Sequence, residues 1–212
     1  MEILNDISTL LQQGRAPKVK EKVQEALDQG ISAKDILEEG LLSGMSVIGE
    51  KFKNNEVYVP EVLIAARAMN AGVALLKPYL VDAGVEAKGT VVIGTVKGDL
   101  HDIGKNLVKM MMEGKGITVI DLGVDVSPEQ FYDAAVENKA QLVCCSALLT
   151  TTMNEMKNVV EIFEEKGMRD AVKIMIGGAP VTESFCQAIK ADCYTPDAAS
   201  AADAALNFCI AS

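Results

Sequence analysis

The 212-residue sequence predicts an α + α/β protein: an N-terminal four-helix bundle followed by a doubly wound, five-stranded parallel sheet. Three observations carry this expectation. Apolar residues recur at steps of three and four from Ile3 to Leu80; from Thr90 onward, short β-branched runs alternate with amphipathic segments; and a short polar link, Asp82 to Gly89, separates the two patterns. Helical periodicity with short connections builds a bundle. Near-continuous apolar strands alternating with helices build a parallel sheet covered on both faces. The expected division is 1–86 for the bundle and 87–212 for the α/β domain.

Within the bundle, Ile3, Ile7 and Leu10 mark the first helix, and Val19, Val23 and Leu27 mark the second beyond the break "GRAP". The third starts after "DQGIS", with Ser32 as its N-cap because a hydroxyl there accepts an orphan amide of the first turn. It runs through Leu37, Leu41, Met45, Ile48 and Phe52. After "KNNEVYVP", Val62, Ala66, Met69, Val73, Leu76 and Leu80 alternate steps of four and three, the seam of a packed fourth helix.

The predicted strands are "TVVIGTV", "ITVIDLG", "QLVCCSA" and "VKIMIGG", with "DCY" a weaker fifth. Helical segments alternate with them: "IGKNLVKMMMEGKG", "SPEQFYDAAVENK", "TMNEMKNVVEIFEEKG", "VTESFCQAIK" and "DAASAADAALNFCI". Open α/β sheets bind ligands beyond the carboxyl ends of their strands. Three loops are expected at that edge, "KGDLHDIG", "SALLTTT" and "GGAPVT", whose glycines and small hydroxyl residues leave room for a bulky ligand.

Composition narrows the partners. A net charge of −10 repels phosphate backbones and anionic lipid, so neither nucleic acid nor a membrane surface is expected. The start lacks the basic and apolar regions of a signal peptide. No apolar run is expected to approach the roughly 20 residues that span a bilayer. A cytoplasmic location follows. Cys144, Cys145, Cys186, Cys193 and Cys209 show no paired-ligand spacing and read as small buried hydrophobes. With a single histidine in the chain, a zinc site has too few ligands.

Several ligand-binding patterns fail at this edge. A phosphate-cradling G-x-x-x-x-G-K-[ST] loop is absent, since five residues separate Gly98 from Gly104 and Asn106 follows Lys105. There is no dinucleotide G-x-G-x-x-G, no phosphorylatable aspartate after the third strand, and no G-x-S-x-G nucleophile elbow. What remains is "GTVKGDLHDIGKNLV" and its His101. An aspartate two residues before a histidine can accept the Nδ1–H and present Nε2 as an electron-pair donor, which makes the ring a metal ligand or a base. With one protein nitrogen available, a metal should bring its own equatorial ligands, as a macrocycle does.

Asp99-Leu100-His101-Asp102-Ile103-Gly104, then 41 residues, Ser146-Ala147-Leu148, then 28 residues, and Gly177-Gly178 resembles the D-x-H-x-x-G … S-x-L … G-G signature of cobalamin-binding domains of the methionine-synthase type. "KFKNNEVYVPEVLIAARAMNAGVALLKPYL" is similar to that family's helical cap, so the resemblance covers nearly the whole chain. It implies a Rossmann- or flavodoxin-like domain holding cobalamin or a related corrinoid. His101 would be the axial cobalt ligand, displacing the corrinoid's own base. Asp99 would hold His101, and Thr152, where methionine synthase has serine, would extend the relay. Ser146, Leu148 and Thr150 would line the buried nucleotide tail, and Gly177, Gly178 and Ala179 would let it approach the backbone. Gly98, Leu100, Asp102 and Gly104 belong to the ligand loop, while Phe52 and Val59 fall on the cap positions over the upper face.

The same resemblance, to the corrinoid proteins of methylotrophic methyltransferase systems, implies a carrier rather than an enzyme acting alone. A substrate-specific corrinoid methyltransferase would methylate the cobalt. A second methyltransferase would pass the methyl to a thiol coenzyme or tetrahydrofolate, and a reductive-activation protein would keep the cobalt usable. Methylated amines are the leading donor, with O-demethylase and methanol carriers as alternatives. A corrinoid-dependent sensor is the alternative from another class, though the acidic bundle has no sign of an output domain.

Overall fold

The computed structural model describes residues 2–211. They divide into two compact units: the chain up to Ala87 together with Gly114–Gly116, and Lys88–Glu113 together with the chain from Ile117.

The first unit holds α1 (Glu2–Gln12), α2 (Ala16–Asp28), a continuous run made of α3 (Ala33–Asp35), a π-helical turn (Ile36–Leu42) and α4 (Ser43–Lys53), and then α5 (Val59–Asp82). Ser32 caps α3, its hydroxyl accepting the Asp35 amide at 3.1 Å. Glu61 accepts the Tyr58 amide at 3.0 Å where α5 begins.

The buried seams differ in detail from the expected stripes. Leu4, Ile7 and Leu11 form the α1 core while Leu10 is half-buried, and Ala26 is buried where Leu27 is not. A helix packed on several neighbours buries an arc wider than one row of side chains, and the arc's centre is set by those neighbours. The π-turn is a second departure from the uninterrupted α-helix expected here. Its extra residue per turn shifts the face of the run while Ile36, Leu41 and Leu42 stay buried. Gly40 within it lies against Ile7, where a Cβ would come within 3.1 Å of Cγ2.

The expectation about apolar runs does not hold for α5. This 24-residue helix has a window of mean hydropathy 1.4 and is long and apolar enough, by length and composition, to cross a membrane. Its buried residues are instead committed to the bundle: Val62, Ala65, Ala66, Ala68, Met69 and Leu76 are core, and a Cβ on Gly72 would lie 2.9 Å from Leu41.

The second unit alternates strands and helices: β1 (Thr90–Thr95), α6 (Ile103–Glu113), β2 (Thr118–Asp121), α7 (Pro128–Glu137), β3 (Leu142–Ser146), α8 (Asn154–Glu165), β4 (Lys173–Gly177), α9 (Glu183–Ala188), β5 (Cys193–Tyr194) and α10 (Ala198–Ile210). All pairings are parallel, in the order β2-β1-β3-β4-β5, so the expected doubly wound fold is present. The pair α7 and α8 pack together, as do α6 and α10. Phe131 and Phe163 are fully buried, and Tyr132 meets Phe163 edge-on at 5.3 Å. Gly94 in β1 makes room for Phe131, whose ring would lie 2.8 Å from an added Cβ. Ser127 and Asp197 cap α7 and α10. The five cysteines are free thiols and four of them are buried.

Candidate functional site

Parallel register brings the strand ends into line. Thr95 pairs with Ser146, and Ser146 with Gly177, so β1, β3 and β4 finish together and release their loops at one edge. The β1 loop folds back on itself: the Asp99 amide donates to the Val96 carbonyl at 3.1 Å, and Gly98 takes the left-handed φ of 78° that this turn needs.

Five donors converge on the carboxylate of Asp99, whose side chain is wholly buried. Oδ1 lies 2.6 Å from His101 Nδ1 and accepts the His101 amide at 3.1 Å. Oδ2 accepts the amides of Leu148 at 2.8 Å and Leu149 at 3.2 Å, and the Thr152 hydroxyl at 2.9 Å. That hydroxyl also lies 2.9 Å from the Leu149 carbonyl, but a carboxylate is the stronger acceptor of its single proton. Burial pushes the Asp99 carboxyl up. Donation from the His101 ring, the Leu148 and His101 amides and Thr152 outweighs it and holds Asp99 well below the usual carboxylate range. An ionised Oδ1 requires the proton on Nδ1, which leaves the Nε2 lone pair free. The ring side chain is 51% exposed. A buried anion thus holds an imidazole whose other nitrogen is open.

Around it the edge is apolar and open. Leu100 and Ile103 are 71% and 79% exposed, and Leu148 and Leu149 are also exposed. Exposed apolar side chains of this kind at one sheet edge suit an apolar partner surface. Gly104 opens this side further, since a Cβ there would meet nothing within 4 Å. Gly178 has the opposite character: a Cβ would fall 1.9 Å from the Ala147 carbonyl oxygen, so the β4 loop crosses the β3 loop backbone to backbone. Gly177 precedes it, half-buried, and Ala179 follows, exposed. Asp102 opens α6, its carboxylate accepting the Asn106 side chain at 3.1 Å and its carbonyl the Asn106 amide at 2.8 Å. Ser146 is half-buried and its carbonyl accepts the Val96 amide at 3.0 Å. Thr150 is exposed and is not among the hydrogen-bond donors to Asp99, whereas Leu148 serves Asp99 through its amide. Phe52, near the end of α4, and Val59, first in α5, are half-buried in the helical unit rather than part of its core.

Three contributors escape a reading of the sequence. Thr95 is fully buried and donates its hydroxyl to the His101 carbonyl at 2.8 Å. Its signal was a polar residue inside an apolar strand. Leu149 adds the second amide at Oδ2. Asp125, from a fourth loop after β2, accepts the Gly98 amide at 2.7 Å and donates its own amide to the Asp99 carbonyl at 3.0 Å. Lys105, the lysine of the failed phosphate pattern, is buried against Asp121, with Nζ 2.5 Å from Oδ1 and 2.8 Å from Asn106 Oδ1. Burial raises the Asp121 carboxyl, and Lys105, the Gly123 amide and Lys109 together more than reverse this.

The donor set suits a metal that arrives with its own equatorial ligands. Among the described residues no group of three or more His, Cys, Asp or Glu side chains is placed to hold a bare ion. One imidazole nitrogen is open, and an apolar rim surrounds it.

The comparisons with known proteins agree. Residues 89–206 match the family model described as a B12 binding domain, and residues 3–77 match a second model with the same description. A dimethylamine corrinoid protein of Methanosarcina acetivorans is 42% identical over 186 residues, covering 86% of this chain and 87% of its own. A trimethylamine corrinoid protein of the same organism is 44% identical over 176 residues, 82% of each chain. The crystal structure of the methanol:cobalamin methyltransferase complex of Methanosarcina barkeri contains a chain that matches with a TM-score of 0.90 at 30% identity, over 100% of this chain and 81% of that one. The chain therefore belongs to the B12-binding family of corrinoid proteins, and its cofactor is a cobalamin-type corrinoid.

Proposed function

We propose that this corrinoid protein is the methyl carrier of a methyltransferase system, with His101 Nε2 as the axial ligand of cobalt. The observation that carries the reading is the open Nε2 of a half-exposed ring whose Nδ1 is held 2.6 Å from a fully buried carboxylate. When bound, the corrinoid supplies a cobalt that takes a methyl group from one partner's substrate and yields it to another's.

The chain's own residues hold the group and manage a proton. Gly98, Leu100, Asp102 and Gly104 border the ligand loop, Ser146, Leu148 and Thr150 the nucleotide tail, and Gly177, Gly178 and Ala179 the close backbone approach. Phe52 and Val59 are assigned as cofactor contacts on the resemblance alone. Asp99 keeps the Nδ1 proton in place, so Nε2 offers its lone pair. When Nε2 is released it takes up a proton, and the imidazolium then faces an Asp99 that its remaining donors keep ionised. Thr152 supports Asp99 through Oδ2 in both states.

A methylated amine is the preferred methyl donor, because the amine-system relatives are 42% and 44% identical against 30% for the methanol complex. Methanol is the second reading, favoured by the 0.90 TM-score. The partners are then a substrate-specific methyltransferase, a second methyltransferase acting on a thiol coenzyme or tetrahydrofolate, and a reductive-activation protein. Five free thiols suit the reducing cytoplasm.

The test is an EPR spectrum of the cobalt(II) form with and without 15N-labelled histidine. Labelling that turns triplet splitting into doublets assigns the ligand to His101, the chain's only histidine. Triplets that persist refute it. Efficient transfer of methyl from an amine to cobalt by the purified chain alone would refute the carrier role.

A further inference from the structure

Four non-glycine residues among those described have a left-handed φ: Asn55, Asp125, Lys139 and Lys190. Asn55, Lys139 and Lys190 each stand two positions past the last residue of a helix, α4, α7 and α9, where a left-handed residue routinely closes the C-terminus. Asp125, at φ 55°, closes no helix; it lies in the β2–α7 loop, ahead of the Ser127 cap. A non-glycine residue held this way costs energy and persists only where its surroundings require it.

The surroundings here are the ligand loop. Asp125 Oδ1 accepts the Gly98 amide at 2.7 Å, and the Asp125 amide donates to the Asp99 carbonyl at 3.0 Å. The clasp is reciprocal, and Gly98 on its other side is also left-handed. Flanking it, Val126 donates to the Thr95 carbonyl and Thr95 to the Gly123 carbonyl, each at 3.0 Å, and Val96 bridges Val126. The backbone of Asp99 is therefore gripped from the β2 side, while its carboxylate is gripped from the β3 side by Leu148, Leu149 and Thr152. The donors from β3, together with those of His101, keep the carboxylate charged; the grip from β2 holds the backbone of Gly98 and Asp99, which leads to His101.

We propose that Asp125 is a positioning residue for cobalt ligation, its clasp on Gly98 and Asp99 holding the loop in the geometry from which His101 reaches the metal. This rests on the reading of His101 as the cobalt ligand. Asp125 makes no hydrogen bond to the His101 ring and acts through the backbone of Gly98 and Asp99.

The experiment uses the corrinoid-loaded full chain and the cobalt(II) EPR signal of 15N-histidine samples, at a pH where coupled and uncoupled forms are both measurable in wild type. Asp125→Ala lowers the ratio of histidine-coupled to uncoupled signal about tenfold, the worth of one charge-assisted hydrogen bond. Asp125→Gly does the same, because it keeps the backbone conformation and lacks the acceptor; it also serves if the alanine variant does not fold. Asp125→Asn, which retains an acceptor oxygen and tolerates the left-handed region, restores most of the wild-type ratio. Ser127→Ala removes the neighbouring α7 cap and leaves the ratio unchanged. A wild-type ratio in Asp125→Gly, or an equal fall in Ser127→Ala, overturns the proposal while histidine ligation stands. No histidine coupling in wild type overturns the ligation itself and the proposal with it.

Discussion

Replacing Asp99 with asparagine changes one oxygen into an NH2 and tests the centre of the site. Three donors converge on Oδ2 and two on Oδ1, so the amide group settles on the Oδ1 side, where it displaces less. The His101 amide then faces an N–H instead of an oxygen and loses its partner, at about 1–3 kcal/mol. At the ring the new N–H donates to Nδ1, which sends the imidazole proton to Nε2 and removes the lone pair a metal needs, the tautomer error known from histidine–aspartate pairs elsewhere. Regaining the working tautomer sets two N–H groups against each other and costs roughly one further hydrogen bond, about a tenfold to thirtyfold loss of ligated form. Folding stability falls by about 2 kcal/mol, since release of a buried charge offsets part of the lost bonding.

Both effects are measurable: urea denaturation of the apo chain, and the histidine-coupled share of the cobalt(II) EPR signal. Asp99 in the folded chain titrates below its ordinary value of 3.8, so its stabilisation is full above that value and is lost as pH falls through the folded value. The gap between wild type and Asp99→Asn that comes from the Asp99 charge therefore closes as pH falls below about 4. A variant with full histidine coupling refutes the tautomer argument, and an unchanged denaturation midpoint refutes the account of the five donors.

Other substitutions probe the supports. Thr152→Val removes the hydroxyl from Oδ2 and costs about 1–2 kcal/mol in urea denaturation, while Thr152→Ser keeps the bond and most of the stability. Gly178→Ala drives a Cβ to within 1.9 Å of the Ala147 carbonyl oxygen at a φ of 133°, and thermal unfolding should show a loss of about 3 kcal/mol or more. Lys105→Met leaves Asp121 with only Lys109 at 3.3 Å and the Gly123 amide at 2.9 Å. The loss is about 2 kcal/mol by chemical denaturation, less than for a fully buried pair because Asp121 retains these partners and some solvent.

How much of this was legible beforehand depends on the range of each interaction. Asp99 and His101 are two residues apart, and their pairing belongs to one loop whose composition announces it. Ser32, Ser127 and Asp197 announce helix starts in the same local way. Asp125 lies 27 residues from Gly98 and meets it only because β2 lies beside β1 in the sheet order. Leu149 contributes an amide, which no side-chain pattern encodes. The choice of Leu11 over Leu10, and the π-turn at Ile36–Leu42, were settled by which neighbours each helix packs against.

By itself the sequence determined the alternation of strand and helix, and the glycine-rich loop after β1 with its lone histidine, because periodicity, capping and turn chemistry act over a few residues. Tertiary structure decided the surroundings of the carboxylate that holds that histidine. Only when parallel pairing aligns Thr95, Ser146 and Gly177 do the β3 loop's amides and Thr152 reach Asp99. The same pairing brings Asp125 to the loop backbone. A buried carboxylate remains charged when several donors surround it, and donors drawn from distant parts of the chain are gathered only by the fold.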